Sequence, residues 1–317
     1  MIFVISIIVI ALLGLAIVGP NELERLTVTK PAEENTAKEF SGGSAYAEVL
    51  YQVSLGPRNP GSIGHSNLQD HIQLRLTEYG FAVEAQTFLH RLPNGSSLAL
   101  QNIVAKSGNE SNGILLIGAH YDTRPISEND KDPEKKALPI LGANDGASGV
   151  AVLLELARVY SEVDLPIGLW LLFFDAEDIG GVYGPYSLGS SVFADSLPAD
   201  MLPSIKGVIV VDMVGDSDLQ LFYDRNSLNS VSRELTEKIW AIGDDLGHSN
   251  IFKPEVKYTI YDDHIPFLQL GLPSTLIIDF DYEFWHTQQD TADRVTPASL
   301  QVVGQVLVKS IEAISYS

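Results

Sequence analysis

Four runs of mainly apolar residues stand out in the pattern of hydrophobic and polar positions. An unbroken apolar run is typical of a strand that is covered on both faces of its sheet. Two shorter segments, 81–89 and 98–105, predict a further pair of strands joined by a turn. The four runs span residues 113–119, 167–174, 206–214 and 272–278.

Between these runs the apolar residues recur at helical spacing. The segment LGANDGASGVAVLLEL at 141–156 begins as a Gly-rich loop and continues as an apolar helix. Because strands alternate with helices, we predict an α/β fold with three layers, α/β/α, around a central mixed, mostly parallel sheet. Other helices are predicted at 45–55, 65–79, 229–246 and 297–314.

Residues 1–19 carry no charged side chain. At about 1.5 Å per residue, a helix of this length nearly spans a hydrocarbon core of about 30 Å. An uncleaved transmembrane anchor, a cleaved secretory signal and a buried N-terminal helix all fit. No basic residue precedes the apolar run and no clear cleavage site follows it, which favours the anchor. We expect residues 20–44 to be a linker and 45–317 one folded domain outside the cytoplasm, membrane-anchored or secreted after cleavage.

Composition narrows the possible partners. The formal net charge of −21 comes from 41 acidic and 20 basic residues, which argues against nucleic acid as a partner. The chain has no cysteine, which excludes disulfides, thiolate metal sites and a Cys nucleophile. It also lacks the G-x-S-x-G, Walker A and H-E-x-x-H motifs. We expect a monomer.

Acidic and histidine side chains follow the apolar runs. In parallel sheets, ligands gather beyond the C-terminal ends of strands, so these side chains predict one shared site. Structural alternatives exist: Asp145 and Asp262 suit helix N-caps, His120 and Asp122 a surface pair, and the acidic residues after the second run a solvated turn. The candidates are His120, Asp122, Asp145, Asp175, Glu177, Asp178, Asp212, Asp262, Asp263, His264 and His286.

Carboxylate and imidazole ligands without cysteine favour zinc or a similar divalent ion with an open position for catalysis. Such an ion polarises a carbonyl group or activates water. His120 and Asp122 lie on the same face of an extended segment, where the carboxylate can orient the imidazole. Trp285 follows an aromatic stretch that fits either core packing or the wall of a small pocket.

Seven motifs occur in an order that resembles the M28 family of zinc aminopeptidases and its glutaminyl-peptide cyclotransferase branch. They are HYD, GANDGASG, FFDAED, LGSS, VVDMVG, DDHIPF and WHTQQDT, and the resemblance covers about 46–315. It implies a mixed sheet flanked by helices, with zinc at the strand ends. It also implies Asp145, Asp178 and His286 as zinc ligands, with Asp178 in place of the commoner Glu.

The resemblance further implies that Glu177 is the general acid and base. His120 and Asp212 match the ligands of a second metal in two-zinc aminopeptidases, and Asp212 is also a candidate substrate contact. DDHIPF and WHT are similar to the cyclases, which implies that Asp262 holds the substrate amine or amide and Trp285 lines the pocket. GANDGASG and the His-Thr-x-x-Asp-Thr tail also occur among aminopeptidases.

We therefore predict a zinc-dependent glutaminyl-peptide cyclotransferase, which converts N-terminal Gln of peptides or proteins to pyroglutamate with release of ammonia. One zinc ion is expected. The alternative is an M28 aminopeptidase with two zinc ions. A third possibility is a non-catalytic M28-like ectodomain that only binds a partner.

Overall fold

The computed structural model describes residues 39–92 and 94–316. The predicted anchor, 1–19, and the predicted linker up to residue 38 lie outside the described residues. Within the described part of the chain, none of the helices has the length and apolarity needed to span a bilayer.

Eight strands form the two sheets of the described chain. The larger sheet has six strands in the order β1-β2-β4-β3-β5-β8, and β6 pairs with β7 in a separate sheet. The strands are β1 (Ala82–Arg91), β2 (Ser97–Gly108), β3 (Ile114–His120), β4 (Gly168–Phe174), β5 (Ile205–Asp212), β6 (Leu221–Asp224), β7 (Phe252–Tyr258) and β8 (Ser274–Ile278).

The larger sheet is mixed, as predicted. β1 pairs antiparallel with β2, and β2 antiparallel with β4. The pairs β4–β3, β3–β5 and β5–β8 are parallel. The C-terminal ends of β4, β3, β5 and β8 therefore lie along one edge, which is the edge that carries the predicted acidic residues.

Helices cover both faces of this sheet, which confirms the three-layer α/β/α fold. Apolar residues of α1, α2, α3, α5 and α7 pack on one face, and those of α4 and α6 pack on the other. The helices are α1 (Gly42–Ser54), α2 (Ile63–Glu78), α3 (Ala147–Val159), α4 (Leu188–Ser196), α5 (Arg233–Asp245), α6 (Ile265–Gln269) and α7 (Pro297–Ser315).

The continuous apolar runs follow from this layered packing. In β4, successive side chains point to opposite faces, so Phe173 and Phe174 belong to different apolar clusters and both are fully buried. At about 25 cal/mol per Å² of buried apolar surface, such doubly covered strands contribute much of the hydrophobic stabilisation.

One boundary and one sheet differ from the sequence prediction. Phe40 is buried and α1 begins at Gly42, so the folded part starts inside the predicted linker. The β6–β7 sheet was not predicted, because β6 has only four residues and most of β7 is exposed and carries Lys, Glu and Pro.

Candidate functional site

The C-terminal edge of the parallel strands brings the predicted polar residues together. His120 is the last residue of β3 and Asp212 the last residue of β5. Glu177 and Asp178 follow β4, and Asp145 precedes α3. All five side chains are buried.

Two groups of three side chains could each hold a metal ion. Site A consists of Asp145, Asp178 and His286, and site B of His120, Asp145 and Asp212. Within each group, one ligand atom per residue lies within 4.8 Å of the others. Asp145 belongs to both groups, so its two carboxylate oxygens can serve two adjacent positions.

Site A fits a divalent cation. His286 Nε2 lies 3.2 Å from Asp178 Oδ1 and 3.5 Å from Asp145 Oδ2. Asp145 Oδ2 and Asp178 Oδ2 are buried and accept no hydrogen bond from any described residue. A buried carboxylate oxygen without a partner is costly, and a bound cation would satisfy both oxygens.

The electrostatics of site A also favour a cation. Burial, together with repulsion by Asp145, raises the pKa of Asp178 to about 7. Burial acts to lower the pKa of His286, but Asp178, Glu128 and Asp145 outweigh it and raise the pKa to about 10. Without a cation, protons therefore compensate the crowded carboxylates.

Further carboxylates hold the ligand segments by their backbone. Asp122 accepts hydrogen bonds from the backbone N–H groups of Glu177 and Asp178, at 3.0 and 3.1 Å. Asp290 accepts from the N–H of Asp145 at 3.1 Å and from the Tyr282 hydroxyl at 2.8 Å. Asp122 was predicted to orient His120, but its nearest oxygen lies 3.5 Å from Nδ1, and its main contacts are these backbone groups.

Backbone strain is concentrated at the same place. Ala176, Met213 and His286 have φ angles of 56°, 46° and 54°, in the left-handed region. Ala176 precedes Glu177 and Met213 follows Asp212. Each such residue costs of order 1–3 kcal/mol, and it persists only where the surroundings fix the backbone.

A cavity of about 250 Å³ opens beside site A. Trp285 forms part of its wall and packs on the His286 ring, with 4.0 Å between the ring centroids. Phe280 packs on Trp285 at 5.1 Å. The other side chains that line the cavity include Glu177, Asp212, Asp262, Ile260 and Ile278. The cavity thus combines apolar walls with carboxyl groups.

Glu177 and Asp262 are buried carboxyl groups that line this cavity. Burial raises the pKa of Glu177 well above 4.5, and Asp178 and Asp262 add to the increase. Burial, together with Asp212 and Asp263, likewise raises the pKa of Asp262 well above 3.8. Buried carboxyl groups whose pKa is raised are candidates for acid and base chemistry.

Two supporting contacts were missed from the sequence. Glu128 is not among the residues that the sequence singles out, yet its Oε1 lies 3.0 Å from His286 Nδ1. Asp224 accepts hydrogen bonds from His264 Nε2 at 3.1 Å and from the N–H of Ile260 at 2.8 Å. These two bonds flank Asp262 and so fix its segment. No local motif marks either contact.

Comparison with known proteins agrees with the fold. Residues 102–311 match the family model described as Peptidase family M28. Glutaminyl-peptide cyclotransferase of Boiga irregularis is 27% identical, over 81% of this chain and 78% of that protein.

Two solved structures are similar to most of the chain. The glutaminyl cyclase of Porphyromonas gingivalis is 32% identical, with a TM-score of 0.81, over 87% of this chain and 99% of that chain. A Zn-dependent exopeptidase from Parabacteroides distasonis is also 32% identical, with a TM-score of 0.81, over 89% of this chain and 100% of that chain. The sequence match and these structural neighbours lead to one conclusion: the chain belongs to peptidase family M28.

Proposed function

We propose that this protein is a zinc-dependent glutaminyl-peptide cyclotransferase, which converts an N-terminal Gln to pyroglutamate and releases ammonia. The observation that carries the proposal is the cavity beside site A. It is lined by Trp285 and contains two protonatable carboxyl groups, Glu177 and Asp262. A chamber of about 250 Å³ suits one side chain with its α-amine better than an extended peptide.

In this proposal, Asp145, Asp178 and His286 would hold zinc, which supplies a positive charge to polarise the γ-carbonyl of the substrate Gln. Glu177 takes a proton from the α-amine, whose nitrogen forms a bond to the carbonyl carbon Cδ of the side-chain amide while the bond from Cδ to the amide nitrogen breaks. Glu177 then passes that proton to the departing amide nitrogen, which leaves as ammonia. Asp262 holds the amine or amide, and the apolar wall at Trp285 excludes water.

A second candidate is an M28 aminopeptidase. Site B supports it, because His120 and Asp212 complete a second set of ligands around the shared Asp145. In that reaction Glu177 would take a proton from the attacking water, and two zinc ions would be needed. The presence of Glu177 beside two complete sets of metal ligands favours an enzyme over the binding ectodomain.

The two enzymes are distinguished by offering the purified protein a Gln-peptide and a Leu chromogenic substrate. We expect ammonia release from the first and no amino-acid release from the second. Chelator-treated protein is the control for zinc dependence. Release of leucine without ammonia would contradict the cyclase proposal and support the aminopeptidase.

We further propose one zinc ion per chain, a monomer, and peptide or protein N-termini as substrates outside the cytoplasm. The apolar segment at 1–19 and the lack of cysteine are compatible with either anchoring or secretion. Elemental analysis counts the zinc ions. Fractionation of expressing cells into membrane, soluble and secreted material tests the location.

A further inference from the structure

Glu128 lies far from His286 in the sequence but contacts it directly. Glu128 Oε1 is 3.0 Å from His286 Nδ1, across a separation of 158 residues. The same oxygen accepts hydrogen bonds from Arg124, from Nε at 2.9 Å and from Nη2 at 2.6 Å. One carboxylate oxygen therefore joins an imidazole of site A to a guanidinium group.

Arg124 carries this connection to the segment that holds Asp178. Its Nη1 donates hydrogen bonds to the backbone oxygens of Asp178 and Gly180, at 2.9 and 2.8 Å. The guanidinium group is almost fully buried and also lies 3.5 Å from Asp178 Oδ1. The Arg124–Glu128 pair thus links the chain segments that supply Asp178 and His286.

The loop between β3 and α3, which contains Arg124 and Glu128, also holds the backbone around His286. The N–H of Asn129 donates to the backbone oxygen of His286 at 3.2 Å. Asp130 Oδ2 accepts from the N–H of Gln288 at 3.0 Å. Since His286 has a left-handed φ of 54°, it needs such external contacts to keep its conformation.

We propose that Glu128 is the positioning residue of site A, and that Arg124 holds Glu128 in place. When Nδ1–H donates to a carboxylate, the proton stays on Nδ1 and the lone pair of Nε2 faces the metal position. This inference rests on the proposed zinc binding by site A. It does not depend on whether the protein is a cyclase or an aminopeptidase.

A purely structural role for Glu128 makes a different prediction. If Glu128 only braced the loop, its loss would lower the unfolding temperature and leave the metal coordination unchanged. A positioning role requires a change in zinc affinity and in the geometry of the metal ligands.

The test compares Glu128→Ala and Glu128→Gln with the wild-type protein and with Glu134→Ala, an exposed acidic residue of the same loop. Zinc affinity is measured by competition with a chelator, and the visible spectrum of the cobalt-loaded protein reports the ligand geometry. For Glu128→Ala we expect about 10- to 100-fold weaker zinc binding and an altered cobalt spectrum. Gln should give a smaller loss, and Glu134→Ala should match the wild type.

Zinc affinity and a cobalt spectrum of Glu128→Ala that equal those of the wild type would overturn the proposal. Should the Ala variant fail to fold, the same result for Glu128→Gln, which keeps the side-chain volume, would overturn it. No substrate is used in these measurements. Failure of the cyclase proposal would therefore appear only in the two-substrate assay.

Discussion

Sites A and B share Asp145 but differ in what surrounds their histidines. In site A, His286 Nδ1 is 3.0 Å from the Glu128 carboxylate. In site B, His120 Nδ1 is buried and has no hydrogen bond to any described residue, and Asp122 Oδ1 lies 3.5 Å away. Asp122 is occupied by the backbone of Glu177 and Asp178.

The free ligand atoms differ as well. In site B, His120 Nε2 forms a hydrogen bond with Asp212 Oδ1 at 3.2 Å. In site A, Asp145 Oδ2 and Asp178 Oδ2 have no such partner among residues 39–92 and 94–316. In site B, a proton on His120 Nε2 can satisfy Asp212 Oδ1, whereas in site A two buried carboxylate oxygens have no hydrogen-bond donor in the described chain and a bound cation would satisfy them. The comparison favours one zinc ion, in site A.

The largest effect is expected for Asp145→Asn, because it removes the carboxylate that both sites share. Zinc affinity should fall by more than about 100-fold. Removal of a metal ligand weakens binding more than removal of a residue that only hydrogen-bonds to a ligand. Elemental analysis after dialysis measures the zinc that remains. Asp164→Asn, an exposed acidic residue, is the control. Retention of a full zinc content by Asp145→Asn would show that neither site is the metal centre.

Glu177→Gln should separate the chemistry from metal binding, because it leaves all the ligands of both sites in place. We expect kcat to fall by about 10²- to 10⁴-fold, the usual contribution of a general acid or base. Zinc content should be unchanged. Substantial turnover in this variant would contradict the proposed proton transfer by Glu177.

A pair of variants compares the two sites directly. We expect His286→Ala to lose its zinc in dialysis and His120→Ala to keep it, because Asp178, whose buried Oδ2 has no hydrogen bond within the described residues, belongs to site A alone. The zinc content of each variant is measured beside that of the wild type. The reverse pattern would assign the metal to site B, and loss from both variants would favour the two-metal enzyme.

The smallest expected effect is on the pH dependence of stability. Burial, with repulsion from nearby carboxylates, raises the pKa of Asp290 and Asp263 from 3.8 to about 7. The pKa of His286 rises from 6.5 to about 10, because the attraction of Asp178 outweighs the effect of burial. Between the unfolded and folded pKa values, the folded state binds more protons, so its stability decreases as the pH rises.

The unfolding temperature of the metal-free protein should therefore fall between about pH 5 and about pH 8. Zinc should raise it more at the higher pH, because the ligands bind zinc in their deprotonated forms. Thermal unfolding with and without zinc at several pH values measures both effects. An unfolding temperature of the metal-free protein that stays constant or rises over this range would contradict the prediction.

Much of the fold could be predicted because doubly covered strands leave a direct trace in the sequence. The apolar runs became β3, β4, β5 and β8, and the acidic residues that follow them lie at one edge of the sheet. The β6–β7 sheet left no such trace, because a short strand and an exposed strand lack a continuous apolar pattern.

The sequence by itself determined the layered fold, the family resemblance and the set of candidate ligands, since these depend on residue type and local periodicity. Only the tertiary structure decided that Glu128 supports His286, that Asp224 supports the Asp262 segment, and that Asp122 is occupied by backbone groups. These contacts join distant parts of the chain through one or two hydrogen bonds each. Such bonds depend on the final positions of the segments and produce no periodic pattern in the sequence.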